Sequence, residues 1–221
     1  MKPDLGNVII KIKNPGKGGA ALNEKFWDLN KTKQNSMING ALKVFSRDGF
    51  RHASTDEIVA EAGISKGLLF HYFCSKSGIY EFLAEYSARF ALVELDSGIS
   101  KAGPLFFFEL QRKITESECA VMRRYPCLYL FLERAESDSS FENFEDVLSG
   151  TSLYRERRSS VLEKSVLPET LPSEDAGRIS RLLDLARKDA ALRILKNGSF
   201  DPERFAAEIN DLIHFFEKIY G

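Results

Sequence analysis

No apolar stretch in this sequence comes near the roughly 18 to 20 residues that a bilayer crossing needs. Membrane-spanning channels and carriers are set aside on that ground. Histidine is scarce, with only His52, His71 and His214, and cysteine equally so, with Cys74, Cys119 and Cys127. Neither set has metal-ligand spacing, so no metal site is expected. An odd number of cysteines fits reduced thiols in a cytoplasmic chain better than a disulfide framework. Cys119 and Cys127 flank Pro126; inert buried thiols are expected there rather than a redox pair. The first residues, MKPDLGNVIIKIKNPGKGG, have only Val8-Ile9-Ile10 as an apolar run and no small-residue cleavage pattern, unlike a secretory leader. NPGKGG at 14–19 lacks the strand-loop-helix setting and the Ser/Thr after lysine that a phosphate-binding loop requires. No nucleophile motif occurs, so no enzyme and no cofactor are expected. Strand alternation is absent too, apart from VIIKIK at residues 8–13.

What is present is a soluble-protein composition, 43% hydrophobic and 29% charged, in a length that suits one large domain or two small ones. The net charge of −1 hides a division. Residues 1–80 carry 12 Lys/Arg against 7 Asp/Glu, a surplus of five positive charges, and residues 81–221 carry 19 against 25, a surplus of six negative ones. A basic N-terminal third joined to an acidic body is the electrostatic outline of a nucleic-acid reader with a separate second domain.

Residues 1–22, with Pro15, Gly16, Gly18 and Gly19, read as a flexible arm whose Lys11, Lys13 and Lys17 are solvated. From Asn35 the pattern turns helical. Ile38, Ala41, Leu42 and Phe45 recur at i, i+3, i+4 and i+7, and Gly49 supplies a stop. In ASTDEIVAEAG, Ser54 and Glu57 have capping-box spacing, Ile58, Val59 and Ala62 form a short buried face, and Gly63 ends the helix. Ser65 then caps a third helix with Leu69 and Phe73 inward. Ser75 caps a long fourth one carrying Ile79, Phe82, Leu83, Tyr86 and Phe90. Helices two and three, joined by a tight turn at Gly63-Ile64, match a helix-turn-helix outline. Beyond residue 97 the readable segments, roughly 104–123, 126–137, 151–166, 175–196 and 201–219, are all helical, with prolines at or near the intervals. The fold class is all-α.

The third helix lies in GISKGLLFHYF, residues 63–73. With Leu69 and Phe73 buried, Lys66, Gly67, Leu68, Phe70, His71 and Tyr72 are left to face outward. Gly67 costs about 1 kcal/mol of helix propensity relative to Ala, a sensible exchange where a partner surface comes very close. Leu68 suits a thymine methyl in a major groove. Lys66 and Lys76 each sit in the first turn of a helix, where the dipole disfavours a cation by ~0.3–1 kcal/mol. An anionic partner at both helix starts removes that conflict, with phosphate held by backbone N–H groups and the lysine together.

The stretch INGALKVFSRDGFRHASTDEIVAEAGISKGLLFHYFCSKSGIYEFL resembles the N-terminal DNA-binding domain of TetR-family transcriptional regulators over about residues 34–83. KFWDL at 25–29 is similar to a segment found in a subset of that family. The resemblance implies that Ser54 and Thr55 meet phosphate at the start of helix two. Ser65, Lys66, Gly67 and Leu68 would meet base edges or nearby backbone, His71 and Tyr72 would reach phosphates, and Lys76 would clamp one. Two positions depart from the family pattern: Phe70 replaces a usual tyrosine, and Leu68 a common threonine, so the base preference does not transfer.

Three parts are therefore expected: the arm at 1–22, a three-helix helix-turn-helix DNA-binding domain at 23–76, and a larger helical domain at 77–221. The resemblance implies that the last binds an unidentified small-molecule effector and dimerises. Its final two helices carry apolar faces, from which Leu182, Ala186, Ile209, Leu212 and Phe216 are the expected dimer contacts. Tyr86, Phe90, Phe107, Tyr125 and Tyr129 are candidate pocket residues within aromatic stripes that otherwise read as core. The function expected is a homodimeric regulator, typically a repressor, that binds a palindromic double-stranded operator and is released by ligand. An architectural DNA binder of the same fold without an effector is the alternative; no membrane partner is expected.

Overall fold

The computed structural model describes residues 24–99, 105–141, 144–196 and 201–221; the expected arm at 1–22 lies outside them. A 3-10 turn, Glu24–Asp28, leads into nine α-helices among these residues. They are α1 Lys31–His52, α2 Thr55–Ala62, α3 Lys66–Phe73, α4 Lys76–Ile99, α5 Phe107–Met122, α6 Leu128–Ser137, α7 Phe144–Glu163, α8 Ser173–Lys196 and α9 Pro202–Tyr220. No strand forms among the described residues; Phe106 and Val166 make one isolated bridge. No helix among the described residues is long and apolar enough to cross a membrane. The all-α reading holds. Helix α7 starts earlier than the segment of roughly 151–166 that the pattern suggested, and Gly150 lies within it. Two compact units result: the chain up to Phe90 with Cys127–Leu153, and Ala91–Pro126 with Tyr154–Gly221.

Helix starts in the first unit follow local capping. Asn30 accepts the N–H of Lys33 at 2.9 Å, Ser65 that of Leu68 at 3.2 Å, and Ser75 that of Gly78 at 3.0 Å. Ser54 caps α2 as expected, but through Asp56 N–H at 3.2 Å. The capping box does not close, because the Glu57 carboxylate reaches Arg47 at 2.9 Å instead. Helix α2 ends on Gly63 in the left-handed region (φ 63°, ψ 38°). There Gly63 N–H donates to Ala60 O and Ile64 N–H to Val59 O, a paired closure of the last turn. Close approach of α1 and α2 needs Gly40, whose added Cβ would stand 2.8 Å from Ala62 N.

Two features of this unit gave no periodic signal. The first is Phe26, fully buried in the 3-10 turn, with its ring edge-on to Tyr72 at 5.7 Å and Phe82 at 5.6 Å and tilted against Phe73 at 5.2 Å. Gln34 ties that turn to α1 by donating to Leu29 O at 2.8 Å and Trp27 O at 3.0 Å. The second is the end of α1. Gly49 breaks the helix at φ 69°, and an added Cβ there would sit 2.7 Å from Asp138 Oδ2. Phe50 N–H donates to that same oxygen at 2.5 Å. Burial pushes the Asp138 carboxyl up, yet the Ser140 hydroxyl, the N–H groups of Phe50 and Ser140, and the Arg134 charge together hold it below its usual value.

In the second unit, α9 packs on α5 and α8. Ile179, Leu183, Ala190, Phe205, Ile209 and Ile213 are buried. Polar side chains are buried there as well. Glu118 accepts from Tyr154 Oη at 3.2 Å and Arg158 Nη1 at 3.3 Å. Arg187 Nε stands 3.0 Å from Glu118 Oε2, a close ion pair outside hydrogen-bond angles. Arg187 also donates to the Gln111 side chain at 3.1 Å and the Thr115 hydroxyl at 3.2 Å. Asp184 completes the set by pairing with Arg158 and with Arg187.

Replacing Phe26 by Ala should cost about 3–5 kcal/mol, as expected for a fully buried ring; urea denaturation of the full chain reads it, and a loss under about 1 kcal/mol would remove the turn from the core. For Asp138 the sign follows from its lowered pKa: its stabilisation is complete above the unfolded value and is lost as pH falls through the folded one. Asp138→Asn should thus be less stable than wild type at neutral pH, and the gap should narrow progressively as pH falls below about 4. An equal gap at both pH values would show that the charge is not what matters.

Candidate nucleic-acid interface

The candidate interface is the outward side of α3 with the starts of α2 and α4. Lys66, Gly67 and His71 are exposed, Leu68 and Phe70 half-buried, and Ser65, capping the helix, exposed. Nothing lies within 4 Å of where a Gly67 Cβ would stand. The face is therefore open to a partner at the position where the sequence gives up a side chain. Inward, Leu69 and Phe73 are buried as their spacing indicated. Ser54 and Thr55, both half-buried, mark the start of α2.

Tyr72 is not on that face. It is 7% exposed, because Phe26 supplies a ring for it to pack against, and the His71 ring meets it edge-on at 4.9 Å. Lys76 is also placed otherwise than a lone phosphate clamp. Its ammonium donates to Ala53 O at 3.2 Å and Arg51 O at 3.4 Å and lies 4.6 Å from the centre of the Phe50 ring. It closes the α1–α2 corner from the first turn of α4. Lys66 Nζ pairs with Asp56 Oδ1 at 2.8 Å, with both side chains at least half exposed. Such a surface pair is worth little, so an incoming phosphate can replace the carboxylate.

The acids of α2 temper the basic excess. Asp56 meets Lys66, Glu57 meets Arg47, and Glu61 meets Lys43 at 2.7 Å. Hydrogen bonding to Asp48 holds the Arg47 guanidinium above its usual value. Sequence reasoning missed Asp56 as the partner of Lys66, Gly40 as the spacer beneath α2, and Asp138 as the seat of Phe50. The Gly40 and Asp56 contacts join neighbouring helices, whereas Asp138 comes from 88 residues along the chain.

In the second unit a cleft of about 390 Å³ is lined by Phe107 and by residues of α7, α8 and the segment between them. Of the expected pocket residues Phe107 alone lines it. Tyr86 and Phe90 are buried in the first unit, in a stack with Phe82 at centroid spacings of 5.4 and 5.9 Å. Tyr125 is buried beside Arg124, and Tyr129 is half-buried. Cys119 and Cys127 are buried free thiols. Burial pushes both up, Cys119 to about 12, which leaves them unreactive. No group of His, Cys, Asp and Glu among the described residues could hold a metal ion.

Of the expected dimer contacts, Leu182 is 52% exposed and Leu212 exposed, while Ala186 and Phe216 are half-buried. Ile209 is 1% exposed and belongs to the interior of its own unit. Leu185 at 65%, Phe215 at 59% and Ile219 extend the exposed apolar set on the same two helices.

Residues 37–83 match the sequence profile of the bacterial regulatory proteins of the tetR family. No curated protein matches the chain significantly. Solved structures do. A TetR-like transcriptional regulator from Rhodococcus sp. RHA1 is 22% identical over 84% of this chain and 96% of its own, with a TM-score of 0.56. LfrR from Mycobacterium smegmatis, a TetR-like regulator in complex with proflavine, is 16% identical over 82% and 94%, with a TM-score of 0.55. The transcriptional regulator FadR from Bacillus subtilis, in complex with stearoyl-CoA, is 12% identical over 81% and 95%, with a TM-score of 0.51. The helix-turn-helix geometry and the match to the tetR-family profile coincide over residues 37–83, and the solved structures show that the chain shares the fold of TetR-like regulators.

Proposed function

We propose that the protein acts as a homodimeric repressor, with α3 entering the major groove of each half of a pseudo-palindromic operator and a small-molecule effector relieving repression. The observation that carries the DNA-contact part is the open face of α3, where Gly67 has no neighbour and Lys66 holds only a solvent-exposed carboxylate. Ser65, Lys66, Gly67, Leu68 and Phe70 are assigned to base edges and adjacent backbone. Ser54, Thr55 and His71 are assigned to phosphates. Lys76 has two roles, a phosphate contact and the closure of the α1–α2 corner, and Tyr72 acts through packing.

The functional division is residues 23–76 for DNA and 77–221 for effector and partner subunit. Exposed Leu182, Leu185, Leu212, Phe215 and Ile219 on α8 and α9 support a two-fold apolar interface, which a self-complementary patch would form. The ligands held by LfrR and FadR support an effector in the helical domain. Release by linkage requires only that the effector bind the DNA-incompetent form more tightly.

Lys66→Ala should weaken binding to all duplex sequences and flatten the dependence of log affinity on log salt by about one unit for each phosphate left without its cation. Gly67→Glu should abolish operator binding by bulk and charge. Titration showing unchanged affinity for the Gly67 variant would move the docking face elsewhere. Leu182→Glu should give folded monomers with poor operator affinity, because one half-site supplies too few contacts. Ile209→Glu should instead unfold the second unit, since it buries an unpaired charge. Light scattering that still reports a dimer for Leu182→Glu would displace the interface.

A further inference from the structure

The cleft of the second unit is charged in an uneven way. Arg158 and Asp184 line it, but Asp184 is taken by Arg158 and Arg187, and Glu118 by the same two guanidinium groups. These four side chains form a neutral, closed set. Arg181 also lines the cleft. Each other arginine of α8 has two carboxylate partners: Arg178 has Glu174 and Asp175, Arg187 has Glu118 and Asp184, and Arg193 has Asp189 and Glu208. Arg181 has none among the described residues. Its Nη1 lies 3.9 Å from where a Cβ on Gly177 would stand, so the absent side chain one turn back leaves room beside the guanidinium.

We infer that this cleft binds a small organic acid with a single carboxylate, held by Arg181, whose compact apolar part rests against Phe107, Leu162 and Leu167. An unpaired guanidinium recognises a planar carboxylate by two parallel N–H···O bonds. Glu163 also lines the cleft and makes no ion pair among the described residues, so a second negative charge on the ligand would meet repulsion. That favours a monoanion over a phosphate monoester or a polyanion. A volume of about 390 Å³ lies within the range of small-molecule sites. The inference deepens the effector reading and rests on it for its regulatory meaning, while the binding itself is separable.

The test is calorimetric titration of the full chain with phenylacetate and octanoate, beside phenylacetamide and phenyl phosphate. At least one carboxylate should bind saturably at a single site per chain, with the amide and the phosphate ester weaker by roughly tenfold or more. Arg181→Gln should weaken the carboxylate by a similar factor and Arg181→Lys by less. Gly177→Leu should block the cleft. Because Arg181 makes no ion pair among the described residues, its variants should keep the wild-type unfolding temperature. Absence of saturable carboxylate binding, an amide that binds as well, or affinity indifferent to Arg181→Gln would each overturn the site. Operator titration in the presence of the bound acid then separates the two readings. Arg181-dependent binding with unchanged operator affinity keeps the site and removes its effector role.

Discussion

The geometry of the first unit depends on how the end of α1 is held. Gly49 turns the chain at φ 69° and ψ −179°, a conformation that is essentially confined to glycine and costs other residues about 1–3 kcal/mol, and four side chains from distant parts of the sequence then converge on Phe50. Asp138 accepts its N–H, the Lys76 ammonium lies against its ring, and Tyr80 and Phe141 meet the ring edge-on at 5.2 and 4.7 Å. The same lysine caps the carbonyls of Arg51 and Ala53. One corner thus fixes where α2 begins and where α4 leaves. Helix α3 lies between those two and inherits its position from both.

What could be read from the sequence was what short-range chemistry decides. Ser54, Ser65 and Ser75 all cap the helices they were expected to cap, because a cap needs only N–H groups two or three residues ahead. The inward set of α3 and α4 followed from spacing alone. Contacts from farther away were not legible. Glu57 turned to Arg47 ten residues back, Lys76 to carbonyls more than twenty back, and Tyr72 to the Phe26 ring in the 3-10 turn ahead of α1. Periodicity marked α8 and α9 as broadly apolar, but a stripe wider than one helix face has an inner and an outer edge. Ile209 fell on the inner edge and Leu182 on the outer.

The interior of the second unit is specified by charge as well as by shape. Glu118 comes from α5, Arg158 from α7, and Asp184 and Arg187 from α8, and each has a partner of opposite sign. A slip of one turn by any of these helices would strand a buried charge, which costs several kcal/mol. The set therefore selects one alignment of α5, α7 and α8 among the many that apolar packing would tolerate. No local motif announces it, since its members are separated by up to about seventy residues and only Asp184 and Arg187 are neighbours on a helix.

The chain has a single tryptophan, Trp27, in the 3-10 turn ahead of α1 and half-buried. Its ring lies 5.1 Å from Phe26 and 6.0 Å from both Phe82 and Tyr86. Indole emission from the intact protein therefore originates at one point in the first unit, beside the ring cluster that seats Tyr72. The helical body from Tyr154 onward contains no indole and is optically silent in that channel. A fluorescence change on adding DNA or a small molecule reports the surroundings of that one turn, and loss of structure confined to the second unit would pass without a signal.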